Sequence, residues 1–284
     1  MSLAAVRVTL AYAWRHRAWL DLGHPRRFTE WVQWRKLHDR ERDRARLTDK
    51  LHSKRIVAAA LGEDMVVPTL WEGQQLPENP PWSMPFVVKS NHGCRDVVVV
   101  RNADDFSRAR RAAPRWLARA YGQWLDEWHY RHARRAILVE PYIGPIDRLP
   151  LDYKLYVFGG HAAIIQLHEE RGTDHHRWSQ FDRAWRCLST VESARPAPVS
   201  LQEMITAAER LGADHDFLRV DFYEIDGRPL FGEFCLFPGS GLDRFDPVEI
   251  DERLGALWSA KRPAVATCRT PGRVDASGLD PGTC

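Results

Sequence analysis

The stretch RVDFYEIDGRPLFGEFCLFPG, residues 219–239, reads as two apolar strands around Asp226-Gly227, yet it carries Arg219, Asp221 and Glu233. A buried carboxylate is costly unless it is paired, hydrogen-bonded or holding a cation. The register of the turn therefore governs what these charges can do. A two-residue loop pairs Ile225 with Arg228 and sends the two carboxylates to opposite faces. A three-residue Ile225-Asp226-Gly227 loop with a G1 bulge instead pairs Glu224 with Arg228. It sets Arg219 opposite Glu233 and leaves Asp221 diagonal to it on the same face. Hydrophobic alternation selects the second register. Leu218, Val220 and Phe222 then share a face with Leu230, Gly232, Phe234 and Leu236, while Arg219, Asp221, Tyr223, Glu233 and Cys235 gather on the other. One arginine offsets only part of the repulsion between two close carboxylates. The hairpin alone leaves two readings open, a structural Arg–Asp–Glu network or a divalent cation held together with substrate phosphates.

With 284 residues, 44% hydrophobic and 28% charged, the chain is long enough for one large domain or two smaller ones and has globular composition. A net charge of +3 is too small to imply nucleic acid, and no nucleic-acid partner is expected. Between residues 26 and 55, however, eleven Lys/Arg stand against five Asp/Glu, which reads as a solvated helical face or a docking surface for an anionic polymer or membrane. Cysteines 94, 187, 235, 268 and 284 are scattered and odd in number, which predicts a reducing, cytoplasmic setting without disulfides or a structural zinc. No apolar run approaches the ~18 residues of a membrane span. The start, MSLAAVRVTLAYAWRHRAWLDL, lacks a signal-peptide core and reads as a packing or amphipathic surface helix, leaving room for peripheral membrane contact. Nothing in the sequence sets the oligomeric state.

Along the chain, periodicity predicts helix over 28–61, stopped by Gly62. The Pro-rich stretch 72–85 is a connection. Strands follow at 86–89 and 97–100, a helix at 103–113 started by Asn102, and a further helix from 114 to about 135. AILVEPYI, residues 136–143, is a buried strand, and strands at 151–158 and 162–167 join across Gly159-Gly160. Residues 168–186 read as a long polar loop, and Ser200 with Glu203 as a capping box for a helix to Gly212. A short helix follows at 248–258. Residues 263–284 read as a disordered tail. The fold class is mixed α+β with antiparallel sheets. Its parts are an N-terminal helical region (1–64), two α+β subdomains (65–135 and 136–262) and the tail.

Elsewhere the chain offers two lysines of the kind that phosphate oxygens would need. Lys89 ends the strand FVVK and is followed by Ser90-Asn91-His92-Gly93, a small loop whose amides can reach phosphate oxygens. Lys154 shares a face with Asp152 and Tyr156 in LDYKLYVF, and either lysine alone reads equally as a solvated side chain. In order, HPRRFTEWVQWRKLHDR, TDKLHSKRIVAAALG, FVVKSNHG, LVEPYI, LDYKLYVFGG and HDFLRVDFYEIDGRPLFGEFCLFPGSGLDRFDP resemble the ATP-grasp superfamily, in its TupA-like branch, over about residues 21–260.

That resemblance implies two subdomains with antiparallel sheets sandwiching ATP. Lys50, Lys89, Asn91 and Gly93 would meet the phosphates, and Glu140, Tyr142 and Ile143 the adenine. Lys154 would contact the γ-phosphate or the acyl phosphate, Asp221 and Glu233 would hold Mg²⁺, and Arg219 would steady developing charge. The implied reaction is ligation of an amine to a carboxylate through an acyl phosphate, on a small-molecule, polysaccharide, uronate or peptide-like acceptor. The chain departs from the family pattern at Cys235, where an asparagine is usual, and in having only Gly93 in the loop after Lys89. Both departures bear on the metal count. Loop residues Arg171, His176 and Arg177 are candidates for meeting an anionic acceptor, and the spacing of His168, His175 and His176 fits no standard zinc site. A kinase acting on a hydroxyl, and a nucleotide- or polymer-binding module without turnover, are the alternatives.

Overall fold

The computed structural model describes residues 2–145, 149–170, 174, 176–191 and 193–262. The stretch expected to be a disordered tail, 263–284, lies outside the described residues, as does Arg171. The elements, in chain order, are α1 (Leu3–His16), α2 (Phe28–His38), α3 (Arg42–Ala45), α4 (Lys50–Leu61), β1 (Trp71–Gly73), β2 (Phe86–Ser90), β3 (Val97–Val100), α5 (Ala103–Ala118) and β4 (Ile137–Pro141). They continue with β5 (Asp152–Phe158), β6 (His161–Glu169), β7 (Arg177–Phe181), α6 (Leu201–Gly212), β8 (Leu218–Ile225), β9 (Arg228–Cys235) and α7 (Glu249–Lys261).

Two antiparallel sheets carry the fold, one ordered β1-β4-β2-β3 and the other β7-β6-β5-β8-β9. The first packs Phe86, Val88, Val100, Ile137 and Val139 against Phe106 and Ala109 of α5. β4, grouped by the sequence with the strands after it, is hydrogen-bonded inside this first sheet between β1 and β2. The second sheet buries Leu155, Val157, Val220 and Phe222 against Met204, Ile205 and Ala208 of α6. Its far end is closed by α2 and α7, where Phe28, Phe217 and Trp258 meet with centroids 4.5–5.3 Å apart. Such aromatic pairs add about 0.5–1.5 kcal/mol each beyond area burial. Gly255 permits the helix crossing, because a Cβ there would lie 2.0 Å from the Arg26 carbonyl oxygen. The expected mixed α+β architecture with antiparallel sheets is what forms.

Three local expectations change. The single helix over 28–61 is α2, α3 and α4, broken at the extended caps Asp39 and Asp49. The Asp49 side chain accepts from His52 N and restarts the helix, an N-cap that a periodicity count passes over. The expected helix from 114 to about 135 does not exist as such. α5 runs through Pro114 to Ala118, and only a 3-10 turn at Trp128–His132 follows. Within the expected loop 168–186, residues 177–181 form β7 and pair with β6, since Trp178 and Phe181 find an apolar neighbour strand. The capping box at Ser200 is replaced by a longer reach, with its backbone N–H and hydroxyl both donating to Glu224.

The hairpin register also needs correcting. Asp226 (φ 52°) and Gly227 (φ 72°) both take left-handed conformations, the requirement of a two-residue I′-type turn, so Ile225 pairs with Arg228. The extra residue sits lower down, where Phe222 pairs with Phe231 and Asp221 with Glu233, leaving Gly232 as the bulge. Arg219 therefore stands opposite Cys235 rather than Glu233, and Asp221 directly opposite Glu233 rather than diagonal to it. Phe231, not Leu230, joins the core face. The tight turn is cheaper for Asp-Gly, and the bulge recovers the segregation of faces that alternation demands.

Candidate active site

β5 and β8 are neighbours, and their register places Lys154 beside Asp221 and Tyr156 beside Arg219. Lys154 Nζ donates to Asp152 Oδ2 and Asp221 Oδ2, both at 2.6 Å. Arg219 forks the same Asp221 carboxylate, Nε to Oδ1 at 2.7 Å and Nη2 to Oδ2 at 2.6 Å. Burial works against the Lys154 ammonium, but Asp152 and Asp221 outweigh it and hold its pKa above the ordinary lysine value. Burial opposes the Arg219 guanidinium too, and Asp221 overrides that. Glu233 is held more loosely, 3.7 Å from Arg219 and 4.0 Å from Lys50, and its side chain is 31% exposed against 2% for Asp221.

The opposing wall comes from the first sheet and α4. Lys89 Nζ lies 2.5 Å from Glu140 Oε2, and Lys54 Nζ lies 2.5 Å from Glu140 Oε1. Burial alone would raise the Glu140 pKa, but Lys89 and Lys54 together hold it below the usual carboxylate range. Lys50 Nζ donates to the Gly93 carbonyl at 2.6 Å. Asn91 fixes that geometry, with Oδ1 accepting from Leu51 N at 2.9 Å and Nδ2 donating to the Arg134 carbonyl at 2.7 Å.

These walls enclose a cavity of about 380 Å³ between the sheets, lined by Lys50, Lys89, Gly93, Lys154, Arg219, Asp221, Glu233 and His176, all of them singled out in the sequence. Other candidates lie elsewhere. Asn91 is buried as a latch, and Glu140 is buried and engaged by Lys54 and Lys89. The Tyr142 backbone N–H donates to the Pro85 carbonyl and its hydroxyl to the Pro145 carbonyl. Ile143 lines a separate cleft of about 610 Å³ with Lys54 and Leu230. Arg177 points outward and pairs with Glu169 at 3.5 Å.

Further side chains reach the cavity without having been singled out as site residues, among them Asp152, Gln166, His168 and Asp243. Gln166 and His168 stand opposite Lys154 and Asp152 across β5 and β6, so strand alternation carried a signal for both. His168 Nδ1 is 3.1 Å from His176 Nε2 at the rim. Asp243 comes from the irregular turn after β9 and has no periodic signature.

The donor set suits Mg²⁺ in one way only. Asp221 and Glu233, directly opposite each other, are the kind of two-carboxylate set that holds Mg²⁺ together with substrate phosphates. Among the described residues no group of three or more His, Cys, Asp or Glu could hold a metal ion. Burial pushes the Cys235 thiol up to about 12, and a neutral thiol is a poor ligand for a hard cation. Among the described residues no helix is long and apolar enough to cross a membrane.

Residues 30–259 match the family described as TupA-like ATPgrasp. Among curated proteins none matches the sequence. Among solved structures, the chain is similar to D-alanine–D-alanine ligase from Bacillus anthracis complexed with ATP, at 16% identity and a TM-score of 0.50, covering 76% of this chain and 65% of that one. It is also similar to L-amino acid ligase from Bacillus licheniformis, at 18% identity and a TM-score of 0.45, covering 68% of this chain and 44% of that one. A further structure of the Bacillus anthracis ligase matches at 18% identity and a TM-score of 0.48, over 76% of this chain and 67% of that one. The chain thus spans 65% and 44% of the length of the first two, and at such identities the likeness speaks to fold alone. Sheet order, a charged cavity between the sheets and the match over 30–259 agree: the fold is ATP-grasp, and the chain belongs to the TupA-like ATP-grasp family.

Proposed function

We propose that the protein is an ATP- and Mg²⁺-dependent ligase that joins an amine to a carboxylate through an acyl phosphate. The observation that carries this reading is the meeting of Lys50, Lys89, Lys154 and Arg219 with Asp221 and Glu233 around one cavity between two sheets. The lysines and Arg219 suit the oxygens of a polyphosphate, and the two facing carboxylates suit a divalent ion bound with it. Lys50 and Lys89 would hold phosphate oxygens. Lys154, now bridging two aspartates, would turn from Asp221 toward the transferred phosphoryl group while keeping Asp152. Asp221 and Glu233 would hold Mg²⁺, which supplies charge neutralisation on the phosphates. Arg219 would offset negative charge that develops as the amine attacks.

The chemistry balances without a covalent protein nucleophile. The γ-phosphoryl group passes to a carboxylate oxygen and ADP leaves. The amine nitrogen then forms the new C–N bond, the acyl C–O bond to phosphate breaks, and the amine loses a proton. The wide cleft of about 1230 Å³ that shares Arg219, Glu233 and Cys94 with the cavity is the side from which a polysaccharide, uronate or peptide-like acceptor would reach it.

Hydroxylamine offered in place of the amine tests this directly. Carboxylate-dependent ADP release with formation of a hydroxamate is expected. ADP release that requires a hydroxyl acceptor and yields a stable phosphate ester would overturn ligation in favour of a kinase. Mg²⁺-dependent ATP binding without ADP from any carboxylate acceptor would leave a binding module.

A further inference from the structure

The first helix has two apolar faces, and only one of them is used. Val8 and Tyr12 are buried, and the Tyr12 hydroxyl meets Thr29 Oγ1 at 3.2 Å. Leu3, Val6, Leu10 and Trp14, spaced three and four residues apart, form a stripe on the opposite side and are all exposed. Trp14 and Trp19 are 83% and 80% exposed, a large cost in water for the two bulkiest apolar side chains of this segment. The helix is not a loose arm. Arg7 pairs with Asp126 at 2.6 Å, Arg15 Nε donates to the Leu242 carbonyl at 3.0 Å, and His16 meets the Gly241 carbonyl at 3.0 Å. The stripe is therefore presented rigidly, on a helix fastened to the turn that leads to Asp243 in the cavity wall.

We infer that the outward face of α1 and the Trp14–Trp19 turn dock the protein on an anionic phospholipid surface. Charge and size select this occupant. The turn reads WRHRAW, alternating two exposed tryptophans with Arg15 and Arg17, also exposed. Up to residue 27 the chain holds five arginines (7, 15, 17, 26, 27) against one acid, Asp21. Indole rings settle at the headgroup level of a bilayer, leucines reach the acyl boundary, and guanidinium groups meet lipid phosphates. A second copy of the chain fits less well. A stable dimer takes about 800 Å² and 20–30 residues per partner, whereas this patch is four side chains on a helix about 21 Å long, with Trp19 just beyond it. Two such patches face to face would also draw the like-charged Arg15 and Arg17 of both copies into one interface. A lipid surface needs no matched shape and supplies the opposite charge. The attachment is peripheral, since among the described residues no helix can cross a bilayer.

The experiment is flotation of the full chain with vesicles of phosphatidylglycerol and phosphatidylcholine in equal parts, beside vesicles of phosphatidylcholine alone. The protein should float with the anionic vesicles only, and less at high salt. L10D/W14D should lower its partitioning roughly tenfold or more, and R17E by a smaller factor. Circular dichroism and ADP release in solution should stay unchanged, because these side chains touch neither core nor cavity. No flotation, equal flotation on neutral vesicles, or unchanged flotation of L10D/W14D would each overturn the inference. So would a dimer in sedimentation that L10D/W14D abolishes while vesicle binding is absent.

Discussion

Arg35 and Lys36, beneath the N-terminal helices, are as deeply buried as Lys154 and Arg219 on the five-stranded sheet. Only the second pair faces a cavity. Arg35 is closed in by Asp216 at 2.5 Å, the Phe217 carbonyl at 3.0 Å and the Trp258 ring at 4.3 Å. Lys36 Nζ donates to the Ser240 carbonyl and hydroxyl at 2.6 and 2.7 Å and to Gln33 at 3.0 Å. Burial pulls the Lys36 ammonium down to about 8, with Glu127 only partly offsetting it. On the sheet the balance is reversed, and two aspartates hold Lys154 above its ordinary value. The helical pair spends its hydrogen bonds on fixing α2 against the second sheet and the turn after β9. The sheet pair keeps its counter-ions beside open space, where a ligand can exchange with them. Burial and pairing alone do not mark an active site; a cavity beside the pair does.

The sharpest way to break this comparison is Asp221→Asn. Turnover of ATP should fall by roughly a thousandfold or more, in line with losing charge stabilisation at the reacting group. Steady-state ADP release reads this, with the melting temperature recorded alongside. Undiminished release would remove Asp221 from the site and make the two pairs alike.

Arg35→Ala should do the opposite. It leaves Asp216 buried without its main partner and should cost about 3–5 kcal/mol of stability, read from denaturant unfolding, while the apparent affinity for ATP stays put. A weakened ATP affinity in a variant of near-native stability would place Arg35 in the functional set.

A third test probes the same helical layer through pH. Burial raises Asp251 to about 6, against the hydrogen bonds from the Thr29 N–H and hydroxyl that favour its ionised form. Because the folded pKa lies above the unfolded value, the contribution is fully present below about pH 4. It is lost as pH rises through about 6, a change on the order of 3 kcal/mol. Asp251→Asn, which mimics the protonated acid, should flatten the stability profile over that window. An unchanged profile would show that Asp251 ionises freely in the fold.

The smallest effect is expected at Cys235→Ser. A thiol held protonated is no ligand, so the Mg²⁺ dependence of ADP release should change by less than about twofold. A large shift in that dependence would bring position 235 into the metal site.

Much of the fold was legible in local pattern. The strand at 97–100 is bounded as read and those at 86–89 and 151–158 to within one residue, because short β-branched and aromatic runs between polar breaks leave few other solutions. The breaks at Asp49 and the strand at 177–181 were not, since one depends on a side-chain cap and the other on an apolar partner at Ile165, 16 residues upstream of Phe181. The basic run from 26 to 55 misled in a different way. It reads as a solvated face, yet it supplies Arg35 and Lys36 to the interior, because Asp216 and Ser240, some two hundred residues on, reach back to neutralise them.

The sequence by itself determined that the hairpin 219–239 must segregate its charges from its apolar residues, since a one-residue slip would bury the wrong face. It also carried the ordered set of motifs that marks the family. Tertiary structure decided how that segregation is achieved, with a tight Asp226-Gly227 turn and a bulge at Gly232, and therefore that Asp221 rather than Arg219 faces Glu233. It alone decided which buried cations border open space. The physical reason is that pairing is a matter of which distant strand lies alongside, and a cavity exists only where two sheets stop short of closing on each other.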